Sequence, residues 1–153
     1  MEQTWRTVRE LLGNRADVYR IDPDETILAA LRLMAEKNIG ALVVCNGDRM
    51  VGIVSERDYA RKVECVGKTA AGTKVRDIMT PDVVYVSPSD KVDLCLRLMR
   101  KHRVRHLPVI EDQRIVGVLS TRNVVEEVIR EDEHLIHDLQ LDRLRMTTDT
   151  GTY

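Results

Sequence analysis

Two tetrapeptides carry residue types suited to holding phosphate and sugar hydroxyls. They are Ser55-Glu56-Arg57-Asp58 and, at an offset of 65, Ser120-Thr121-Arg122-Asn123. Each follows an apolar run, Ile53-Val54 or Val118-Leu119, where an expected strand gives way to a helix. A helix N-terminus has unpaired N–H groups and partial positive charge, so it suits a phosphate. Ser55 adds a hydroxyl donor, Arg57 a charge-assisted contact, and Asp58 acceptor oxygens for a ribose diol. The competing reading is a capping box, because Ser-x-x-Asp also satisfies its own helix end. Capping does not require the arginine, which recurs at Arg122.

The recurrence belongs to a longer repeat. Val18 to Val63 aligns with Val83 to Val128 without a gap, and 14 of the 46 pairs are identical, including Leu31-Arg32-Leu33-Met34 with Leu96-Arg97-Leu98-Met99. Each copy reads as β-α-β-β-α. The apolar stretches Val18–Ile21 and Val83–Val86 open the copies as strands, and Asp24 and Ser89 are the expected N-caps of the helices that follow. Ile27, Leu31, Met34 and Ala35, and then Val92, Leu96 and Met99, fall at helical spacing. Ala41–Cys45, the turn Asn46-Gly47 and Met50–Val54 form one hairpin; Leu107–Ile110 and Ile115–Leu119 form the other about Glu111-Asp112-Gln113-Arg114. These strands are expected to be buried on both faces.

Flanking the copies are an amphipathic helix over Thr4–Leu12, a loop at Gly67–Gly72, and a charged helix from Val124 to about Met146. The resulting division is 1–16 (N-terminal helix), 17–65 (first copy), 66–81 (linker), 82–130 (second copy) and 131–153 (C-terminal helix and tail). Units of about 60 residues bury too little surface to be secure alone. The expected fold is therefore α/β (α+β), with the two motifs packed sheet to sheet about a pseudo-twofold axis and a pair of related clefts between them.

Composition excludes several functions. The 153 residues are 43% hydrophobic, which is enough to form a core, and the formal net charge of -1 gives no field to steer the chain onto nucleic acid. Phenylalanine is absent, so rings for base stacking are few. Cys45, Cys65 and Cys95 show no CxxC spacing, and Cys45 and Cys95 read as core fillers. No stretch reads as a signal peptide or membrane span, and the default location is cytoplasmic.

Basic residues gather at Arg97, Arg100, Lys101, His102, Arg103, Arg105 and His106. The first five suit a solvated helix face; Arg105 and His106 lie beyond the helix, where a phosphate contact is the better reading. His102 and His106 are four apart without an HExxH glutamate, and His134 and His137 read as surface residues. No GxSxG, Walker loop or paired nucleophile and base occurs, so neither a catalytic nor a metal site is expected.

The repeat and its motifs resemble the tandem cystathionine-β-synthase-type (CBS) domains, or Bateman modules. The resemblance rests on Gly52-Ile53-Val54-Ser55-Glu56-Arg57-Asp58, Gly117-Val118-Leu119-Ser120-Thr121-Arg122-Asn123, Asp77-Ile78-Met79-Thr80 and Arg105-His106-Leu107-Pro108-Val109. It implies a non-catalytic module with no required cofactor that binds AMP, ATP, NAD(H) or a related adenine nucleotide between the copies and regulates a partner protein. By position, Ser55 and Arg57 would meet phosphate and Asp58 the ribose. Ile39, Gly40, Ala41, Val18 and Tyr19 would enclose the adenine. Ser120, Arg122 and Asn123 would form the second site, with Asn123 in place of the usual aspartate. Arg105 and His106 would meet the phosphates of a nucleotide in either cleft. The apolar segments Trp5–Leu12 and Leu135–Leu144, with the family habit of pairing modules, suggest a homodimer. The alternative is an interaction module with vestigial clefts.

Overall fold

The structure, a computed structural model, describes residues 5–13 and 18–131. In chain order the elements are α1 (Val8–Leu12), β1 (Arg20–Ile21), α2 (Ile27–Lys37), β2 (Ala41–Asn46), β3 (Arg49–Ser55), α3 (Glu56–Tyr59) running into a π-helical turn (Ala60–Glu64), α4 (Val75–Ile78), α5 (Val92–His102), β4 (His106–Glu111), β5 (Arg114–Ser120) and α6 (Thr121–Glu131).

Helices α2 and α5 bury matching stripes, Ile27, Ala30 and Met34 in one and Val92, Cys95 and Met99 in the other. Both end on a residue with positive φ, Asn38 and Arg103. Their N-caps are Thr26 and Lys91, not Asp24 and Ser89. The Asp22 side chain accepts the Asp24 amide and the Asp90 side chain accepts the Ser87 amide, each at 2.8 Å, so the preceding residues are drawn into turns and each helix starts later. The Thr26 hydroxyl accepts the Ala29 amide at 3.1 Å, whereas Lys91 offers no cap. Lys91→Thr should therefore stabilise the protein by up to about 1 kcal/mol in urea unfolding; a loss of stability would contradict the equivalence of the two helix starts.

β1 lies parallel to β2, β2 antiparallel to β3, and β4 antiparallel to β5. The hairpin registers agree at the offset of 65, from Ala41 opposite Ser55 and His106 opposite Ser120 to the irregularity at Val44/Cys45 and Val109/Ile110. The expected opening strands are shorter than the apolar runs suggest: two residues in the first copy and a single bridge, Val86 to Val109, in the second. β3 and β5 alternate between more and less buried positions, so they are not buried on both faces as expected. β2 and β4, by contrast, carry continuous buried runs, Leu42–Cys45 and Leu107–Val109.

Each copy has its own core. A third cluster, Val43, Cys45 and Ile115 with Val18, Met50 and Val118, is shared by the two sheets. Cys45 and Cys95 are buried as expected, and burial pushes both thiols up, Cys95 to about 11.

Two short helices lie across the copies as crossed straps. α4, from the linker, packs on the first copy: the Val75 and Arg76 amides donate to the Glu25 and Pro23 carbonyls, each at 2.9 Å. α1 does the same to the second copy, with the Val8 and Arg9 amides on Asp90 and Pro88 at 2.8 and 2.9 Å. Val8-Arg9-Glu10-Leu11-Leu12 thus matches Val75-Arg76-Asp77-Ile78-Met79. Arg76 pairs with Asp24, and Arg9 with Glu111. Trp5, Leu11 and Leu12 pack against the core of the second copy, so the N-terminal apolar segment already has a partner within the chain. Its helix starts at Val8, capped by Thr7, rather than at Thr4. Thr4, the C-terminal helix beyond Glu131, His134, His137 and Leu135–Leu144 lie outside the described residues.

Candidate ligand site

Ser55 ends β3 opposite Ala41, and the Glu56 amide donates to the Gly40 carbonyl at 3.1 Å. The Ile39–Ala41 loop is thereby fastened to the Ser55 turn. Ser55 and Asp58 form a complete capping box. Ser55 Oγ accepts the Asp58 amide at 3.1 Å, while Asp58 Oδ2 accepts the Ser55 amide at 2.9 Å and the Ser55 hydroxyl at 3.1 Å. Asp58 Oδ1 faces Lys62 Nζ at 3.1 Å. The helix end is therefore less open than the tetrapeptide suggests: the Glu56 and Asp58 amides are already bonded.

Other expected contributors are placed less directly. Arg57 is exposed and makes no ion pair among the described residues. Tyr19 and Ile39 pack on the core of the first copy, with Lys37 Nζ 5.3 Å from the centre of the Tyr19 ring. Val18 turns toward the cluster shared by the sheets.

The second copy repeats the geometry with different chemistry. The Thr121 amide donates to the Arg105 carbonyl at 2.8 Å, and Asn123 Oδ1 accepts the Ser120 amide at 3.0 Å and the Ser120 hydroxyl at 2.8 Å. A backbone N–H can bond only to the amide oxygen, so Asn123 is left with Nδ2 donors where Asp58 offers carboxylate acceptors. Arg122 pairs with Glu126 at 3.1 Å on the surface, and Arg105 is exposed. The basic residues of α5 are likewise exposed. His102 ends α5 and His106 starts β4, so the two do not share a helix face.

His106 is half-buried opposite Ser120, and burial, aided by Arg105, pushes its imidazole below the usual 6.5. The folded state therefore favours neutral His106. Its contribution to stability is complete above pH 6.5 and is lost as pH falls through the lowered folded value. His106→Gln should lose less stability than the native protein when acidified from pH 6.5; parallel profiles would contradict this.

An open cleft of about 1030 Å³ lies between the copies, lined by Arg49, Met50, Pro81, Asp82, Val83, Val84, Tyr85, His102, Ile110 and Gln113. Val83 and Val84 are the second-copy counterparts of Val18 and Tyr19, but none of the expected site residues lines this cleft. Two residues beyond those expected take part: Lys62, whose only signal in the sequence is its place one turn after Asp58, and Glu127, a buried acid bonded to Arg6.

The CBS domain family matches residues 8–64 and 75–130. The chain belongs to that family. Both matched segments begin at a strap, Val8 and Val75. The mitochondrial CBS domain-containing protein CBSX3 of Arabidopsis thaliana is 40% identical over 133 residues, covering 84% of this chain and 62% of that protein. A solved CBS-domain protein from Burkholderia ambifaria MC40-6 is 41% identical with a TM-score of 0.79, over 83% of this chain and 96% of the other. CBSX2, solved in complex with AMP, is 25% identical with a TM-score of 0.72, over 81% of this chain and 97% of the other. The chain spans less than two thirds of the first curated relatives it matches. Among the described residues no helix is long and apolar enough to cross a membrane.

Proposed function

We propose that this CBS pair is a non-catalytic regulatory module that binds an adenine nucleotide, with the first copy's Ser55–Asp58 turn as its main site. The observation that carries the reading is the junction of Ser55, Asp58 and the Gly40 loop, fastened by the Glu56 to Gly40 and Ser55 to Asp58 bonds. The AMP complex of the related CBSX2 supports the ligand class. Asp58 has one acceptor position left on Oδ1 beside Lys62. If the Ser55 hydroxyl turns from Asp58 onto a phosphate oxygen, it frees a second acceptor on Oδ2. The capping box then becomes a two-point receptor: serine for the phosphate and aspartate for the ribose diol. Arg57, exposed beside it, supplies charge. Ile39, Gly40, Ala41, Val18 and Tyr19 enclose the base, while Arg105, His106, Ser120, Arg122 and Asn123 form a second, donor-rich site. AMP, ATP and NAD(H) are the candidate ligands.

The module acts as a homodimer on another protein. The exposed Val125 and Ile129, one turn apart on α6, give a dimer an apolar contact. A scaffold with unused clefts is the second reading, favoured by the completeness of both serine caps. Thermal-shift titration with AMP, ATP, NADH and S-adenosylmethionine separates the two. A ligand at 100 times its Kd adds about 2.7 kcal/mol to the folded state, whereas no shift with any of the four supports the scaffold.

A further inference from the structure

Lys62, on the π-helical turn after α3, joins two parts of the molecule. Its Nζ lies 3.1 Å from Asp58 Oδ1 and donates to the Ile78 carbonyl at 2.9 Å. Ile78 ends α4, so its carbonyl is among those a helix leaves without an internal partner, and a cation is favoured there. α4 then runs into Met79 and Thr80, which cover Gly52 and bridge Ile53. The same ammonium therefore holds the carboxylate expected to meet ribose and the strap across the first copy. The Lys62 side chain is 45% exposed and that of Asp58 17%, so a ligand reaches the pair from solvent.

The second copy shows what this position does without a carboxylate at the candidate site. The counterpart of Lys62 is Glu127, which is buried and takes Arg6 Nη1 on both carboxylate oxygens at 3.0 and 3.2 Å. Arg6 lies in the segment leading into α1, the other strap. The position thus fastens a strap in both copies, with opposite charge. Asn123, in place of Asp58, carries no charge to connect Glu127 to the second candidate site.

We infer that Lys62 is a positioning residue that couples occupancy of the Ser55–Asp58 site to the linker strap α4. The inference rests on Asp58 being the ribose contact and Ser55 the phosphate contact. Ribose hydroxyls take the acceptor positions of Asp58 that Lys62 leaves open, and a phosphate at Ser55 attracts the ammonium. The phosphate draws Lys62 from the Ile78 carbonyl, and the strap loses a bond. Binding at the Ser55–Asp58 site is thereby transmitted to the segment that enters the second copy.

Amide hydrogen exchange at Met79 and Thr80 tests this, with and without saturating AMP, in the native chain and in the Lys62→Met and Lys62→Arg variants. Without AMP, Lys62→Met should exchange about three- to tenfold faster at both amides, and Lys62→Arg should restore the native rate. Saturating AMP should speed exchange by a similar factor in the native chain and add nothing in Lys62→Met. A native chain that binds AMP with unchanged exchange at Met79 and Thr80, or a Lys62→Met variant that responds like the native chain, would overturn the coupling. Failure of the nucleotide reading is separately visible as no AMP binding to the native chain, and it overturns the coupling with it. The AMP-free comparison still reads the strap contact, and equal rates in Lys62→Met and native protein would overturn that contact.

Discussion

Asp58→Ala is expected to weaken AMP binding at least about tenfold, and Asn123→Ala less than about threefold, by isothermal titration. Hydrogen bonds to a charged acceptor contribute about 1.5–3 kcal/mol, and each 1.4 kcal/mol is about a factor of ten in Kd. Asp58 is the charged acceptor of the pair, whereas Asn123 has spent its oxygen on Ser120 and retains only donors. Alanine at 58 also removes the carboxylate that accepts the Ser55 amide and hydroxyl, so Asp58→Asn is the informative companion. It keeps an acceptor for the Ser55 amide, removes the charge and gives the first copy the chemistry of the second. Its affinity should fall close to that of Asp58→Ala. Equal effects at positions 58 and 123 would mean that the two sites are ranked wrongly.

Gly52→Ala should cost about 1–3 kcal/mol, and Gly117→Ala distinctly less, in urea unfolding. A Cβ at Gly52 would lie 2.8 Å from the Thr80 carbonyl oxygen and 2.9 Å from Met79 Sδ. The carbonyl cannot retreat, because Ile53 and Thr80 exchange two backbone hydrogen bonds at 2.9 and 3.0 Å. At Gly117 the neighbours are the Leu12 methyl groups at 2.8 and 2.9 Å, the far end of a flexible side chain. The two glycines are repeat equivalents under different straps, so the contrast tests strap packing directly. Equal losses would contradict the rigid seat of Thr80 on the first copy.

The repeat made most of the fold legible. The hairpins and their registers, the helix stripes and the shared core follow from apolar runs and turn residues that recur at one offset. The helix of the first strap was legible as an amphipathic run, but the equivalence of the two straps was not, because Val8–Leu12 matches Val75–Met79 at an offset of 67 rather than 65. The partners of the straps are also long-range: α1 seats on the copy that follows α4. The helix caps failed for a local reason, since Asp22 and Asp90 close turns that postpone each helix start. At the candidate site the residue types were readable, but their engagement was not. That Ser55 and Asp58 already satisfy each other, and that Lys62 reaches both Asp58 and Ile78, depends on side-chain geometry across elements.

Binding of an adenine nucleotide at the Ser55–Asp58 turn is tested most directly by amide chemical-shift mapping of the uniformly ¹⁵N-labelled chain during AMP titration. Saturable shifts should concentrate at Ile39–Ala41 and Ser55–Asp58, with smaller changes at Ser120–Asn123. Saturable shifts confined to the cleft around Arg49, Tyr85 and His102, or no saturable shifts, would contradict it.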